Sequence, residues 1–332
     1  MFNIPIVLFL FKRNKITDVI KRVAEVQPRK VYLIGDGART QEEQEQVCAC
    51  RKLAEEAITW DCEVIKNYAE TNRGVYENIA GGAKWVFERE ESAIFLEDDN
   101  LPEVTFFQFC SEMLDRYKED SRILWVCGTN YLGKYVPDDG VSYVFTKHML
   151  PCGWASWSKK FCAVYDGNLD GCEDNRIMAN IGKEYVSPKL YQQCRKTWMS
   201  EWERKQKGQR FLSWDYQMDF SIKANSVFGI CPCNNQIKNI GADADSIHGG
   251  SSAASLMTKR FCGMESYPIE FPLHHPTTVL ADEKFEKMIG DIILVPDWYK
   301  AKCKFNDIIR MILRIPSDIR TADYVKGLLH LK

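Results

Sequence analysis

Ser92-Ala93-Ile94-Phe95-Leu96-Glu97-Asp98-Asp99-Asn100 is the stretch on which the reading of this chain turns. Ser92–Leu96 is a short apolar run that suits a buried strand, and the strand stops at Glu97. Three consecutive carboxylates are thus delivered to a strand end and followed by the turn-former Asn100. Packing acids together raises their mutual repulsion, so the cluster wants a cation. Hard oxygen ligands suit Mg2+ or Mn2+, ions that keep waters and bridge substrate phosphates. An acidic surface turn would look the same locally; the strand before it and Asn100 favour function.

Upstream of this run, strand and helix alternate. Ile4–Leu10 is a continuous apolar run fit for a strand buried on both faces. Ile16, Val19, Ile20, Val23 and Val26 follow at helical spacing. Val31–Ile34 reads as a second strand ending at Gly35-Asp36-Gly37, and Gln41–Ala57 as a surface helix. A strand over Glu63–Lys66 and a helix over Val75–Arg89 lead into Ser92–Leu96. A helix over Phe106–Tyr117 and a strand over Ile123–Cys127 come after it. This order predicts an α/β fold with a mostly parallel central sheet and helices on both faces. Ligands bind beyond the carboxyl ends of such strands, which singles out Arg13, Asp36 and Glu97–Asp99.

From about Gly128 the rhythm breaks into glycines, aromatics and short elements, before helices over Lys189–Lys207 and Trp214–Ala224 and a short strand near Val227–Ile230. Three further segments carry candidate chemistry. In Ser213-Trp214-Asp215-Tyr216-Gln217-Met218 an acid lies between aromatics at a helix start. Desolvation there would make Asp215 a better base, although a helix N-cap has the same local sequence and is the simpler account. Pro151-Cys152-Gly153-Trp154-Ala155-Ser156-Trp157 offers flat apolar faces on which a sugar stacks, or equally a packed core. Asn239–Gly250 is a Gly- and Asp-rich loop reaching His248, suited to closing over a diphosphate or to lying in solvent.

Composition narrows the classes. The 332 residues are 45% hydrophobic, which argues against disorder, and the formal net charge of −2 gives no field to draw in nucleic acid. Thirteen cysteines, odd in number and scattered, without a signal peptide, point to a reduced, cytoplasmic protein. Zinc is the rival account, through Cys48-x-Cys50 and Cys231-x-Cys233, but the spacing is unlike that of structural zinc sites, and ordinary buried thiols are favoured.

Taken together and in order, these segments resemble a known family. The opening strand ending at Arg13, Asn72-Arg73-Gly74, the Leu-Glu-Asp-Asp run, Gly-Trp-Ala-Ser-Trp, Trp214-Asp215-Tyr216-Gln217, and Asn239-Ile240-Gly241 leading to His248 are similar to the bacterial glycosyltransferases labelled hemolytic-protein-like, within the family 2 group. A more distant resemblance is to N-acetylglucosaminyltransferase I. The similarity runs from about Ile4 to Gly250. It implies a GT-A, Rossmann-like domain over 1–275, with a nucleotide-binding half at 1–127, an acceptor-binding half at 128–275, and a helical tail at 276–332.

The resemblance also implies roles. Arg13, Asp36, Asn72, Arg73, Glu97 and Asp98 would contact a nucleotide-sugar donor, with UDP as the nucleotide. Asp99 and His248 would hold Mn2+ or Mg2+. Gly153, Trp154, Trp157 and Trp214 would meet a glycan or lipid-linked acceptor, and Asp215 would be the general base of an inverting displacement. Glu97 stands where the commonest metal motif has aspartate, as it does in the N-acetylglucosaminyltransferase I relatives. Two rivals remain at this level. A sugar-nucleotide nucleotidyltransferase would usually open with a Gly-rich loop after the first strand, where this chain has Phe11-Lys12-Arg13-Asn14-Lys15. A non-catalytic nucleotide-sugar-binding protein would keep the pocket without the transfer.

In the tail, Phe305, Ile308, Ile309, Ile312 and Leu313 form an apolar face beside Arg310 and Arg314. Such a face suits peripheral contact with the inner face of a membrane, or docking on the main domain or on a second copy; docking is the favoured expectation.

Overall fold

The computed structural model describes residues 1–241 and 262–315, with Thr321 and Tyr324 beyond them. The expected alternation of strand and helix is present. It runs β1 (Ile6–Leu10), α1 (Ile16–Ala24), β2 (Lys30–Gly35), α2 (Gln41–Ala57), β3 (Glu63–Tyr68), α3 (Gly82–Phe87), β4 (Ser92–Glu97), β5 (Asn100–Pro102), α4 (Val104–Arg116) and β6 (Ile123–Cys127). The second half adds β7 (Tyr143–Thr146), β8 (Trp154–Trp157), α5 (Ser158–Val164), α6 (Asn175–Lys183), α7 (Pro188–Gln206), α8 (Asp215–Ala224), β9 (Phe228–Pro232) and β10 (Ile237–Asn239). It closes with α9 (Glu283–Ile293) and α10 (Asp297–Ile312).

Eight strands form one sheet in the order β3-β2-β1-β4-β8-β6-β9-β7. β3, β2, β1 and β4 run parallel to one another, as do β6 and β9. The antiparallel strand β8 lies between β4 and β6, and β7 edges the sheet antiparallel to β9. β1 explains the burial. Ile6, Leu8 and Leu10 face a core shared with α1, α2 and α4, while Val7 and Phe9 face another shared with α3, α5, α8 and α9. A strand covered on both faces needs no polar alternation, hence the unbroken run Ile-Val-Leu-Phe-Leu.

Three differences from the sequence reading stand out. The helix expected over Val75–Arg89 starts with a π-helical turn at Glu77–Gly81 before α3. Consecutive glycines weaken the helix there, and a Cβ on Gly82 would press on Phe9 and Ile34. The Gly-Trp-Ala-Ser-Trp run is a central strand, not an open platform. Finally, α9, in the segment expected as a helical tail, is part of the main core: Phe285 and Ile289 are fully buried there, and Glu286 accepts from Lys147 N–H at 2.9 Å. The helical segment expected from 276 onward is thus packed on the body through α9.

Candidate functional site

Three loops meet where the parallel strands end. Residues Phe11–Lys15 follow β1, Asp98 and Asp99 join the end of β4 at Glu97 to the start of β5 at Asn100, and Ile240–Gly241 follow β10. A small antiparallel ladder between β5 and β10 sets Asn100 opposite Asn239 and so holds the last two loops together. Ile240 N–H donates to Asp99 O at 2.9 Å, and Lys15 Nζ donates to Ile240 O at 2.5 Å. Gly241 is required by this approach, because a Cβ there would collide with the Asp99 carboxylate.

The acids themselves are crowded. Asp98 and Asp99 are buried, and Glu97 is partly exposed. Phe11 N–H donates to Asp98 Oδ2 at 3.2 Å, and the Arg13 guanidinium lies 3.6 Å from Asp98 Oδ1 and in direct contact with Asp99 Oδ2. Burial and the Asp99 charge next to it push the Asp98 carboxyl up to about 7, against the weaker downward pull of Arg13. Glu97 is pushed well above the carboxylate range by burial, then by Asp99, Asp98 and Asp215. The Asp215 charge thus reaches Glu97, although the two are more than a hundred residues apart in the sequence.

Asn100, which the sequence offers only as a turn-former, is the clamp of the site. It is buried; its Nδ2 donates to Asp99 Oδ1 at 2.7 Å, while its Oδ1 accepts from Gly153 N–H at 2.9 Å and Glu97 N–H at 3.3 Å. Gly153, with φ of +63°, turns its backbone to make that bond and packs against Ile237.

Asp215 is the first residue of α8, and the N-cap is Trp214, so the N-cap account of Asp215 does not hold. The Ser213 hydroxyl donates directly to Asp215 Oδ1. Glu201, buried on α7, accepts from Leu212 N–H at 2.7 Å and fixes the approach to α8. Nothing in the spacing of α7 distinguishes Glu201 from its exposed neighbours, so the sequence reading missed it.

Other sequence-proposed residues serve the fold. Trp154 is 2% exposed and stacks on Phe95 at 3.9 Å and Trp125 at 4.3 Å, with Trp214 at 5.5 Å. Trp157 is buried on the opposite face of β8, beside Ser92 at the far end of β4, with Nε1 donating to Leu114 O at 2.9 Å. Trp214 is buried as well. These three tryptophans are core, not acceptor platform: β8 alternates Trp154 and Trp157 between two covered faces, and Trp214, at the N-cap of α8, stacks on Trp154.

Asp36, Asn72 and Arg73 are likewise turned on one another. The Asp36 carboxylate accepts from Gly37 N–H at 2.8 Å, Arg73 N–H at 2.8 Å, Asn72 Nδ2 at 2.9 Å and Gly74 N–H at 3.1 Å. Four bonds fill its acceptor capacity, so Asp36 builds the loop after β3 rather than offering a free contact to a base. Arg73 reaches Asn78 Oδ1 at 3.1 Å and Asn67 Oδ1 at 3.3 Å. His248 lies outside the described residues.

A divalent cation suits this donor set. Among the described residues Arg13 is the cation paired with the trio, one guanidinium facing both Asp98 and Asp99. No closed group of three or more His, Cys, Asp or Glu ligands occurs among the described residues. Magnesium-like ions seldom use such cages; they bind one or two carboxylates and complete their shell with water and substrate phosphate. Cys48 and Cys50, the first pair of the rival zinc account, both lie on α2, with Cys50 buried and Cys48 exposed, so they do not converge.

No family model and no curated protein matches the chain. Among solved structures, the chain is similar to a mannosyltransferase from Pyrobaculum calidifontis in complex with GDP-Man and Mn2+, at 11% identity over 98% of this chain and 79% of that one, TM-score 0.43. A UDP-glucose pyrophosphorylase complexed with UDP-glucose aligns at 9% identity over 78% and 100%, TM-score 0.36. The galactosyltransferase LgtC with donor and acceptor sugar analogues aligns at 11% over 90% and 100%, TM-score 0.32. Likenesses this low carry no argument for function.

Proposed function

We propose that this chain is a GT-A-type glycosyltransferase that takes a sugar from a nucleoside-diphosphate donor, UDP by resemblance, and passes it to a glycan or lipid-linked acceptor with inversion. The supporting observation is the cluster of Glu97, Asp98 and Asp99 at and just past the carboxyl end of β4, faced by Arg13, with the Asp215 charge adding to the upward push on Glu97. Carboxylate charge repels a diphosphate unless a divalent ion intervenes; Mn2+ or Mg2+ at Asp99 would supply that neutralisation as the diphosphate leaves. Arg13 adds a fixed cation for the same phosphates. Asn100 holds the Asp99 carboxylate in place through its Nδ2 bond.

Asp215 is assigned as general base. It accepts the proton of an acceptor hydroxyl, which attacks the anomeric carbon from the face opposite the diphosphate. The Ser213 hydroxyl orients its carboxylate, and Glu201 holds the chain leading to it. The covered tryptophans leave the acceptor to be recognised elsewhere than on Trp154, Trp157 or Trp214. The division into a nucleotide half at 1–127 and an acceptor half at 128–275, the contribution of His248, and a place in polysaccharide assembly in the cytoplasm belong to the same proposal.

The test is a thermal-shift screen of nucleotide sugars with and without Mn2+, followed by product analysis. A rise in melting temperature that needs the metal and is lost in Asp99→Asn is expected, since ligand binding raises apparent stability. Binding and turnover that survive EDTA would remove the metal from the proposal. Pyrophosphate-dependent release of a nucleoside triphosphate would reassign the site to nucleotidyl transfer.

A further inference from the structure

The helix α10 is turned inside out. Helical residues three, four and seven apart share a side. Trp298, Phe305, Ile308 and Ile312 share one, and they are 64%, 65%, 49% and 69% exposed. The side turned to the protein carries Tyr299, which is buried, with Cys303, Asn306 and Arg310 half-buried. The start of the helix is tied to α7 by an ion pair of 2.8 Å between Lys189 Nζ and Asp297 Oδ2. Water is thus left facing the apolar surface that docking was expected to cover.

Charge indicates what covers it. Between positions 297 and 314 stand Lys300, Lys302, Lys304, Arg310 and Arg314 against Asp297 and Asp307, in a chain whose overall formal charge is −2. Lys302 and Lys304 are both exposed and flank the apolar stripe on either side. A second copy docking through the same face would bring these lysines toward one another, because an isologous interface meets itself. An anionic lipid surface meets them with opposite charge, and Trp and Phe on the apolar side suit the headgroup boundary. Among the described residues no helix is long and apolar enough to cross a membrane, so the contact would lie in the plane of the surface.

We infer that the outward face of α10 is a docking surface for an anionic lipid bilayer, with Trp298, Phe305, Ile308 and Ile312 entering the interface and Lys302 and Lys304 meeting headgroups. This inference stands apart from the transferase proposal, and its experiment needs no activity. The full chain is sedimented with vesicles of phosphatidylcholine alone and with a phosphatidylglycerol fraction, at low and high salt. Salt-sensitive binding to the anionic vesicles is expected. The double variant Phe305→Ser, Ile312→Ser should lose it, and Lys302→Glu with Lys304→Glu should weaken it by at least about thirtyfold. These positions are exposed, and unchanged circular dichroism checks the fold. Failure of the wild-type chain to bind anionic vesicles overturns the inference, as does equal binding by both variants. So does a dimer that Phe305→Ser, Ile312→Ser converts to monomer with vesicle binding unchanged, which would assign the face to a second copy.

Discussion

The guanidinium of Arg13 is in direct contact with Asp99 Oδ2, bringing the residue proposed to greet the diphosphate onto the residue proposed to hold its metal. The two sit on loops after adjacent parallel strands, β1 and β4. One cation facing several acids makes the pair a balance between arginine and metal. Arg13→Gln is expected to weaken nucleoside-diphosphate binding about tenfold or more, since a charge-assisted phosphate contact is lost. Mn2+ alone should bind no more weakly, because its competitor for Asp99 is gone. Calorimetric titration of each ligand checks both signs, and weaker Mn2+ binding would contradict the balance.

Asp215→Asn retains the side chain's shape and its bond with Ser213 while removing the base. Donor-induced thermal shift should persist, and turnover should fall by about 10²–10⁴-fold. Single-turnover assays with a labelled nucleotide sugar measure it. Wild-type-like turnover would dismiss Asp215 as the base.

Trp154 separates a core role from acceptor stacking. It is 2% exposed, between Phe95 and Trp125. Trp154→Ala should cost about 3–5 kcal/mol of stability in a denaturant melt. A variant of native stability with only a raised acceptor KM would restore the stacking role.

Glu43 gives a pH test away from the acids. On α2 it receives Arg39 and Lys12, the latter at 3.2 Å, and these bonds, led by Arg39, lower its carboxyl from the ordinary 4.5 to about 2. A depressed acid stabilises above its ordinary value and loses that contribution as pH falls toward about 2. Screening at the largely exposed Arg39 reduces the benefit, so Glu43→Gln should cost about 1 kcal/mol at neutral pH. The difference from wild type should vanish near the acid limit. Urea melts across pH measure this, and a pH-independent loss would contradict the ion-pair account.

Much of the molecule is local and was therefore legible. Gln41–Ala57 is helical over the range its pattern predicts, β1 lies within the apolar run that predicted it, β4 runs one residue beyond its own to Glu97, and Asp98 and Asp99 stand just past that strand end. Periodicity and turn chemistry act within a few residues, and a sequence displays them directly. What the sequence left open depends on partners far along the chain. Asp36 reads like a ligand contact until Asn72, Arg73 and Gly74 are seen filling its carboxylate, and the tryptophans of β8 read like a platform until neighbouring strands cover both faces. The helix α10 shows its amphipathic pattern in sequence, but only its docking through Tyr299 decides that the apolar side looks outward. Composition says which groups are able to be buried or bound; tertiary packing decides which of their atoms are already spent.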